Sequence, residues 1–359
     1  MGVSPPVLLV LLGVFCGCCF RLSQGVLVGA VVLPHGDFAL EPTFLDEGTP
    51  ERQAADEVAK AARQAGQWLD RTIQPDLVIL SSPHGIEVSH DFCLYLGSKA
   101  TGYADLGGDL VPNNNSSRRR KKRVALSHHL ALAPNATRHL LSEAQDRGIN
   151  ATGILSFADS EPMPLRWAEV VPLLLMMERN NVASTGVFQS RRHGRRRRRQ
   201  HVVLSHPLRR YTESPAMVPE LVGLGRFLAE WIQDRPERIA VVVSSDLSHT
   251  HLSDGPYGYS PASAKFDAAV GDWATNPVRN GDRLLVHAAS LQNKAQSCGF
   301  TGLVTLHGIL STTKAPFRSK VWANRNATYY GMMVATFEPT TTTQPSTALP
   351  KNSQNESPF

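Results

Sequence analysis

Four short apolar runs in this chain end in, or directly beside, a histidine. Val26–Leu33 (VLVGAVVL) leads to Pro34-His35-Gly36, and Leu77–Leu80 leads through two serines to Pro83-His84-Gly85. Val202–Ser205 meets His206-Pro207, and Ile239–Val243 opens onto Ser244-Ser245-Asp246-Leu247-Ser248-His249. Runs of this kind mark strands buried on both faces of a sheet. In open α/β sheets the loops past the carboxyl ends of the strands bind ligands, so parallel strands would bring these imidazoles to one rim. Neutral imidazole is the commonest protein metal ligand. Two histidines, one further protein ligand and open positions suit non-haem Fe(II) oxygen chemistry, whereas a third histidine and a water suit Zn(II) hydrolysis.

Residue type suggests a division of roles. His35 and His84 are the ligand pair, because the flanking Pro stiffens the exit from the strand and the Gly permits a sharp turn. His249 is cast as the acid–base catalyst, standing among hydroxyls and Asp246, which can orient its ring or raise its pKa. A plainer alternative has Asp246 and Ser248 capping the following turn. The chain has no G-x-S-x-G, H-E-x-x-H, P-loop or paired C-x-x-C. Gly223-x-Gly225 lies inside a helical pattern and lacks the remaining glycine of a dinucleotide fingerprint.

The elements that must position these residues follow from periodicity. Thr49–Thr72 carries apolar or small residues at helical spacing, with Thr49 as N-cap and Pro50 at the first helical position. Asp91–Leu96 suits a strand, Ala136–Gly148 a helix stopped by Gly148, and Trp167–Glu178 an apolar element interrupted by Pro172. Pro219–Gln233, Ala262–Asn276 and Leu284–Lys294 suit helices, Cys298–Leu310 fits strand or helix, and Tyr330–Phe337 is the last strand. Tyr103–Arg123 is expected to be a long insertion or exposed loop, and Asn180–Gln200 is a second low-complexity excursion. Alternating strands and helices predict a single α/β domain over 26–338, with a central mixed, mostly parallel sheet flanked by helices. It would carry basic inserts near 112–123 and 180–200, and a disordered tail over 339–359, rich in Thr, Pro and Ser.

Charge is unevenly placed. Of a formal +6 over 359 residues, Arg118–Arg123 contributes six positive charges and Arg191–Arg199 seven, leaving a mildly acidic body. No aromatic residues interleave with the arginines, so no specific nucleic-acid site is indicated, while contact with an anionic membrane remains open to such tracts. Val7–Phe20 is an apolar segment too short for a comfortable span and suited to a signal-peptide core, so 1–25 is expected to be a cleaved leader, or else an anchor. Secretion or lumenal residence, with N-glycosylation at some of the six N-x-S/T triplets, follows from that expectation. Only Cys93 and Cys298 lie beyond the leader, which excludes a disulfide scaffold. A homo-oligomer is compatible with all of this.

In their order along the chain, PHG at 34–36, SSPHG at 81–85, SSDLSH at 244–249 and the late CG at 298–299 resemble the class III extradiol ring-cleavage dioxygenases, the LigB-like superfamily, which also contains the Memo proteins. The resemblance covers roughly Val26–Glu338 apart from the basic inserts. It implies a LigB-like fold, Fe(II) on His35 and His84, His249 with Asp246 in proton transfer, and a small catechol-type substrate cleaved with O2. The third ligand of the family is usually a glutamate in the segment that here reads QSCGF. Memo-like members have a cysteine in that region, so the resemblance implies Cys298, a softer donor that admits zinc or copper beside iron. Many members have Asp-His-Gly before V-P-L, where this chain has Arg166-Trp167-Ala168. Arg166 would then bind a substrate carboxylate, Trp167 would wall the pocket, and His206 completes the expected substrate-binding set. The alternatives are a Memo-like metal- or peptide-binding protein without dioxygenase activity, and a metal-dependent hydrolase.

Overall fold

Side chains alternate between the two faces of a strand, and in the central strands both sets are apolar. The computed structural model describes residues 26–107, 121–158, 160–177 and 199–340. The expected leader, most of both basic inserts and the tail beyond 340 lie outside the described residues. The strands are β1 (Val26–Leu33), β2 (Leu77–Ser82), β3 (Phe92–Tyr95), β4 (Lys99–Leu106), β5 (Lys122–Ala125), β6 (Leu130–Ala131), β7 (Ala151–Ile154), β8 (Met163–Leu165), β9 (Gln200–Ser205), β10 (Arg238–Ser244), β11 (Phe317–Asn326) and β12 (Gly331–Pro339). The helices are α1 (Pro50–Gln67), α2 (Pro134–Asp146), α3 (Trp167–Met176), α4 (Arg210–Glu213), α5 (Val218–Gln233), α6 (Ala262–Thr275), α7 (Ala289–Ala295) and α8 (Phe300–Thr312).

The main sheet runs β11-β12-β1-β10-β2-β9-β3-β7. Its centre, β1-β10-β2-β9, is parallel, and Val31, Val242, Leu80 and Val203 sit side by side across it. β12 is antiparallel to β1 and β3 to β9, which makes the sheet mixed. One face carries Ala30, Val32, Ile79 and Val241 under α2, α5, α6 and α8. The other carries Val31, Leu33, Leu80 and Val242 under α1 and α3. The α/β architecture is the one expected, with helices covering both faces of a largely parallel sheet. No helix among the described residues is long and apolar enough to cross a membrane.

Local signals explain several boundaries. The Thr49 hydroxyl accepts from the Arg52 N–H at 3.1 Å, and Pro50 opens α1. Gly225 of α5 faces Gly308 of α8, and a Cβ on Gly225 would lie 2.2 Å from the Thr305 carbonyl oxygen, so this glycine serves helix packing. Cys298–Leu310 resolves as helix: α8 begins at Phe300 and is buried on all sides as far as Leu310. The periodic rule could not separate strand from helix there, because no polar face exists.

One expectation is corrected and one strand is new. Tyr103–Arg123 is not one exposed loop, because Tyr103–Leu106 of β4 pairs antiparallel with Lys122–Ala125 of β5. Its partly exposed, charged strands give no buried apolar run to detect. β11 was not anticipated for the same reason: FRSKVWANRN is an edge strand with much of its length exposed to solvent.

Candidate metal centre

Because β1, β10, β2 and β9 are parallel neighbours, their carboxyl ends fall along one rim. His35 follows β1, His84 follows β2, and Asp246 and His249 follow β10. The antiparallel β12 starts at the same rim and brings Tyr329 and Tyr330. Cys298 arrives at the start of α8, where the Gly299 N–H donates to the Asp246 carbonyl at 3.1 Å. A Cβ on Gly299 would stand 1.8 Å from the Ser245 hydroxyl oxygen, so only glycine lets the two segments approach this closely.

Nε2 of His35 lies 3.3 Å from the Cys298 Sγ and 3.3 Å from Oδ2 of Asp246. The His35 N–H donates to the other Asp246 oxygen at 3.1 Å. The ligand atoms of His35, His84 and Cys298 all lie within 4.8 Å of one another, as do those of Asp246, His249 and Cys298. Bonds of ~2.0–2.3 Å to one ion separate its donor atoms by roughly 3 to 3.6 Å, so the 3.3 Å separations of His35 Nε2 from the Cys298 sulfur and from the Asp246 oxygen are those of donors sharing a cation. The donor set therefore fits a metal ion, with a thiol where a hard site would have a second carboxylate. His84 meets His35 edge-on at 5.2 Å between ring centres and stacks on Trp167 at 5.1 Å.

Burial favours the neutral forms of His84 and Cys298. Burial, then the neighbouring His35 and Arg210, hold His84 well below the ordinary histidine value. Burial, then the Asp246 carboxylate, pushes the Cys298 thiol up. An ion must displace that proton, since coordination deprotonates a thiol.

His249 stacks over Tyr330 at 6.0 Å, and its N–H donates to the Ala295 carbonyl at 2.8 Å. Its loop is clamped from α6. Asp267 accepts from the Ser248 N–H at 3.0 Å with one oxygen and pairs with Nε2 of His251 at 2.8 Å with the other.

The site opens into a cavity of about 540 Å³ walled by Trp167, Tyr211, Tyr257, Tyr329 and Tyr330, with Arg210 in its lining. Trp167 is where the pocket-wall expectation put it. Arg166 is not in the wall: it is exposed and its guanidinium lies over the Trp167 ring at 4.9 Å. His206 is not there either. It is fully buried, bonded through Nε2 to the Ser81 hydroxyl at 2.8 Å and set edge-on to Phe92, so it turns into the core instead of the rim. The arginine that does line the cavity, Arg210, is 4% exposed and paired with Glu87 at 2.7 Å. Sequence reasoning missed it. Its only signal is the pair Arg209-Arg210 just after His206-Pro207, beside the strand end already suspected.

A second cavity, of about 360 Å³, lies at the opposite ends of the strands among Asp76, His128, His129 and Arg199; among the described residues its histidines and carboxylates form no cluster of three close enough to share an ion. The rim therefore holds both the donors and an enclosing pocket.

Over 97 residues, 26% of this chain, the sequence is 31% identical to Protein CA_C1420 of Clostridium acetobutylicum, and the match spans only 20% of that protein's length. The crystal structure of the uncharacterized protein JW3007 from Escherichia coli K12 aligns over 86% of this chain and 99% of that one, with a TM-score of 0.47 and 14% identity. The family model described as the catalytic LigB subunit of aromatic ring-opening dioxygenase matches residues 29–335. With that match running from β1 to β12 and taking in every residue of the rim, the chain belongs to the LigB family.

Proposed function

We propose that this protein is a non-haem Fe(II)-dependent extradiol dioxygenase that opens a catechol-type ring with O2. The observation carrying the reading is the convergence of His35, His84 and Cys298 on one side of an aromatic-walled cavity, with His249 beside them. These three residues would hold the ion. When bound, ferrous iron would supply the redox-active Lewis acid that the reaction of a catechol with O2 requires. The chain's own part is positioning and proton transfer.

A cavity of about 540 Å³ suits a single-ring ligand. Trp167, Tyr329 and Tyr330 offer flat faces to that ring and exclude water from it. His249 takes the substrate's hydroxyl proton on its ring nitrogen and returns it as the ring opens. Asp246, bridging His35 and the His249 loop, holds the two functions in register. Arg210, fixed by Glu87, sets a permanent positive charge at the cavity wall that favours a phenolate over a phenol.

One observation favours a second reading. A cysteine as third donor suits copper or zinc better than a carboxylate does, as in a Memo-like protein that binds a metal or a peptide without oxygenase activity. The deciding experiment loads purified protein with Fe(II) without oxygen, then adds O2 and a panel of catechols. A ring-opened product absorbing in the visible supports the dioxygenase. No product from any catechol, with copper or zinc tightly retained, overturns it and leaves the second reading. For the address we propose the secretory pathway, from the leader-like 1–25; a reporter fused to that segment and found in the cytosol removes it.

A further inference from the structure

A metal-ligating histidine must present one ring nitrogen as a bare lone pair, and the partner of its other nitrogen decides which one that is. Both candidate ligands have a hydroxyl at Nδ1. For His35 it is Ser244, at 2.9 Å. The Ser244 hydroxyl itself donates to the Ala168 carbonyl at 2.5 Å. A serine has a single proton, and a carbonyl can only accept, so Ser244 must accept from His35. Nδ1 of His35 then carries a hydrogen, and the lone pair of the neutral ring lies on Nε2, which faces the Cys298 Sγ and the Asp246 carboxylate oxygen, each at 3.3 Å, so that a cation rather than a proton would best satisfy all three.

The Ala168 carbonyl is open to this bond because of Pro172. In α3 the N–H four residues on would bond to that oxygen, but residue 172 has none, and a proline ring also pushes the carbonyl of residue i−4 aside. The proline inside α3 thus frees the acceptor that, through Ser244 of β10, fixes the histidine just past β1.

For His84 the hydroxyl is Tyr211, at 3.1 Å from Nδ1, with its own proton directed to Glu87 at 3.4 Å. Arg210 holds that carboxylate at 2.7 Å and also stands 3.2 Å from the same ring nitrogen. A guanidinium can only donate, so it competes for Nδ1: when it wins, the hydrogen sits on Nε2 and the lone pair is turned away from the cavity. Tyr211 and Arg210 therefore pull His84 toward opposite tautomers.

We propose that Ser244, Pro172 and Tyr211 are positioning residues that hold His35 and His84 as Nδ1–H tautomers, so that both present Nε2 to a metal ion. The inference rests on reading the two histidines as ligands, but the tautomers are measurable without any metal. Long-range proton–nitrogen correlation spectra of the metal-free protein, assigned with His35→Gln and His84→Gln, report which nitrogen of each ring is protonated. Zn(II) affinity, by competition with a chromophoric chelator under reducing conditions, gives the second readout.

In the wild type both Nδ1 atoms are expected to be protonated. Tyr211→Phe, at a residue 59% exposed, leaves the fold intact, hands Nδ1 of His84 to Arg210, flips that tautomer and weakens Zn(II) binding roughly 10–100-fold. Ser244→Ala does the same through His35. Pro172→Ala is the sharpest case: it restores a helix hydrogen bond and raises the thermal midpoint, yet weakens Zn(II) binding, a pairing that a purely structural proline would not produce. Unchanged tautomers and unchanged affinity in Tyr211→Phe and Pro172→Ala overturn the inference. Nδ1–H tautomers in a wild type that binds no Zn(II) uphold it and overturn the metal reading instead.

Discussion

Sγ of Cys298 stands 3.3 Å from Nε2 of His35, although 263 positions separate the two residues in the chain. The contact exists because β1 and β10 are parallel neighbours and the turn into α8 lies against Ser245 and Asp246 at the end of β10. Under the proposed reading it makes Cys298 a soft donor on which the choice of metal would turn.

Cys298→Ser is expected to lower Zn(II) affinity by more than the roughly 10–100-fold that loss of an outer partner costs. Cys298→Asp should shift preference from copper and zinc toward iron, since a carboxylate is the harder donor. Competition titrations with each metal measure both effects. Equal affinities in wild type and Cys298→Ser would remove the thiol from the centre.

His249→Gln separates holding from proton transfer. Metal content should stay at the wild-type level, while ring opening by the iron-loaded protein falls by about 10² to 10⁴. Metal analysis beside a steady-state assay checks the pair, and a variant that loses its metal instead would make His249 a ligand.

Acid should unfold this protein partly through a residue outside the centre. Burial lowers His206 from the usual 6.5 to about 3, so the unfolded chain takes up its proton first. The stability this buried neutral ring allows is complete above pH 6.5 and is lost as the pH falls from there toward 3. Between pH 6.5 and 4.5 the wild type should lose about 2–3 kcal/mol more than His206→Gln, which keeps a neutral hydrogen-bonding group. Urea denaturation across that range tests it, and parallel curves for the two proteins sink it.

Gly223 and Gly225 should behave oppositely despite standing on the same helix. Gly225→Ala drives a methyl into the Thr305 carbonyl and Gly308, and is expected to cost about 1–3 kcal/mol. Gly223→Ala meets nothing within 4 Å and should stabilise by about 0.5–1 kcal/mol through helix propensity. Chemical denaturation of the two variants gives the comparison, and equal effects would contradict the helix contact.

What the amino-acid sequence determined by itself was local. Strands buried on both faces must be continuous apolar runs, so β1, β2, β9 and β10 were visible with the histidines at their ends, and the cap at Thr49 was visible because it is a bond between neighbours. β11 and the hairpin of β4 and β5 were invisible, because half-exposed strands are built from residues that suit loops as well. Only the tertiary structure decided which histidines share the rim. His206 ends a strand just as His84 does, yet its ring turns to Ser81 and Phe92, because a side chain's direction at a strand exit is set by what packs beside it. The same holds for Arg210 in place of Arg166, and for Pro172, whose missing N–H means nothing in the sequence until Ser244 is found bonded to the carbonyl it leaves open. Periodicity is written along the chain, whereas the meeting of distant donors depends on strand order and helix docking, which no local pattern encodes.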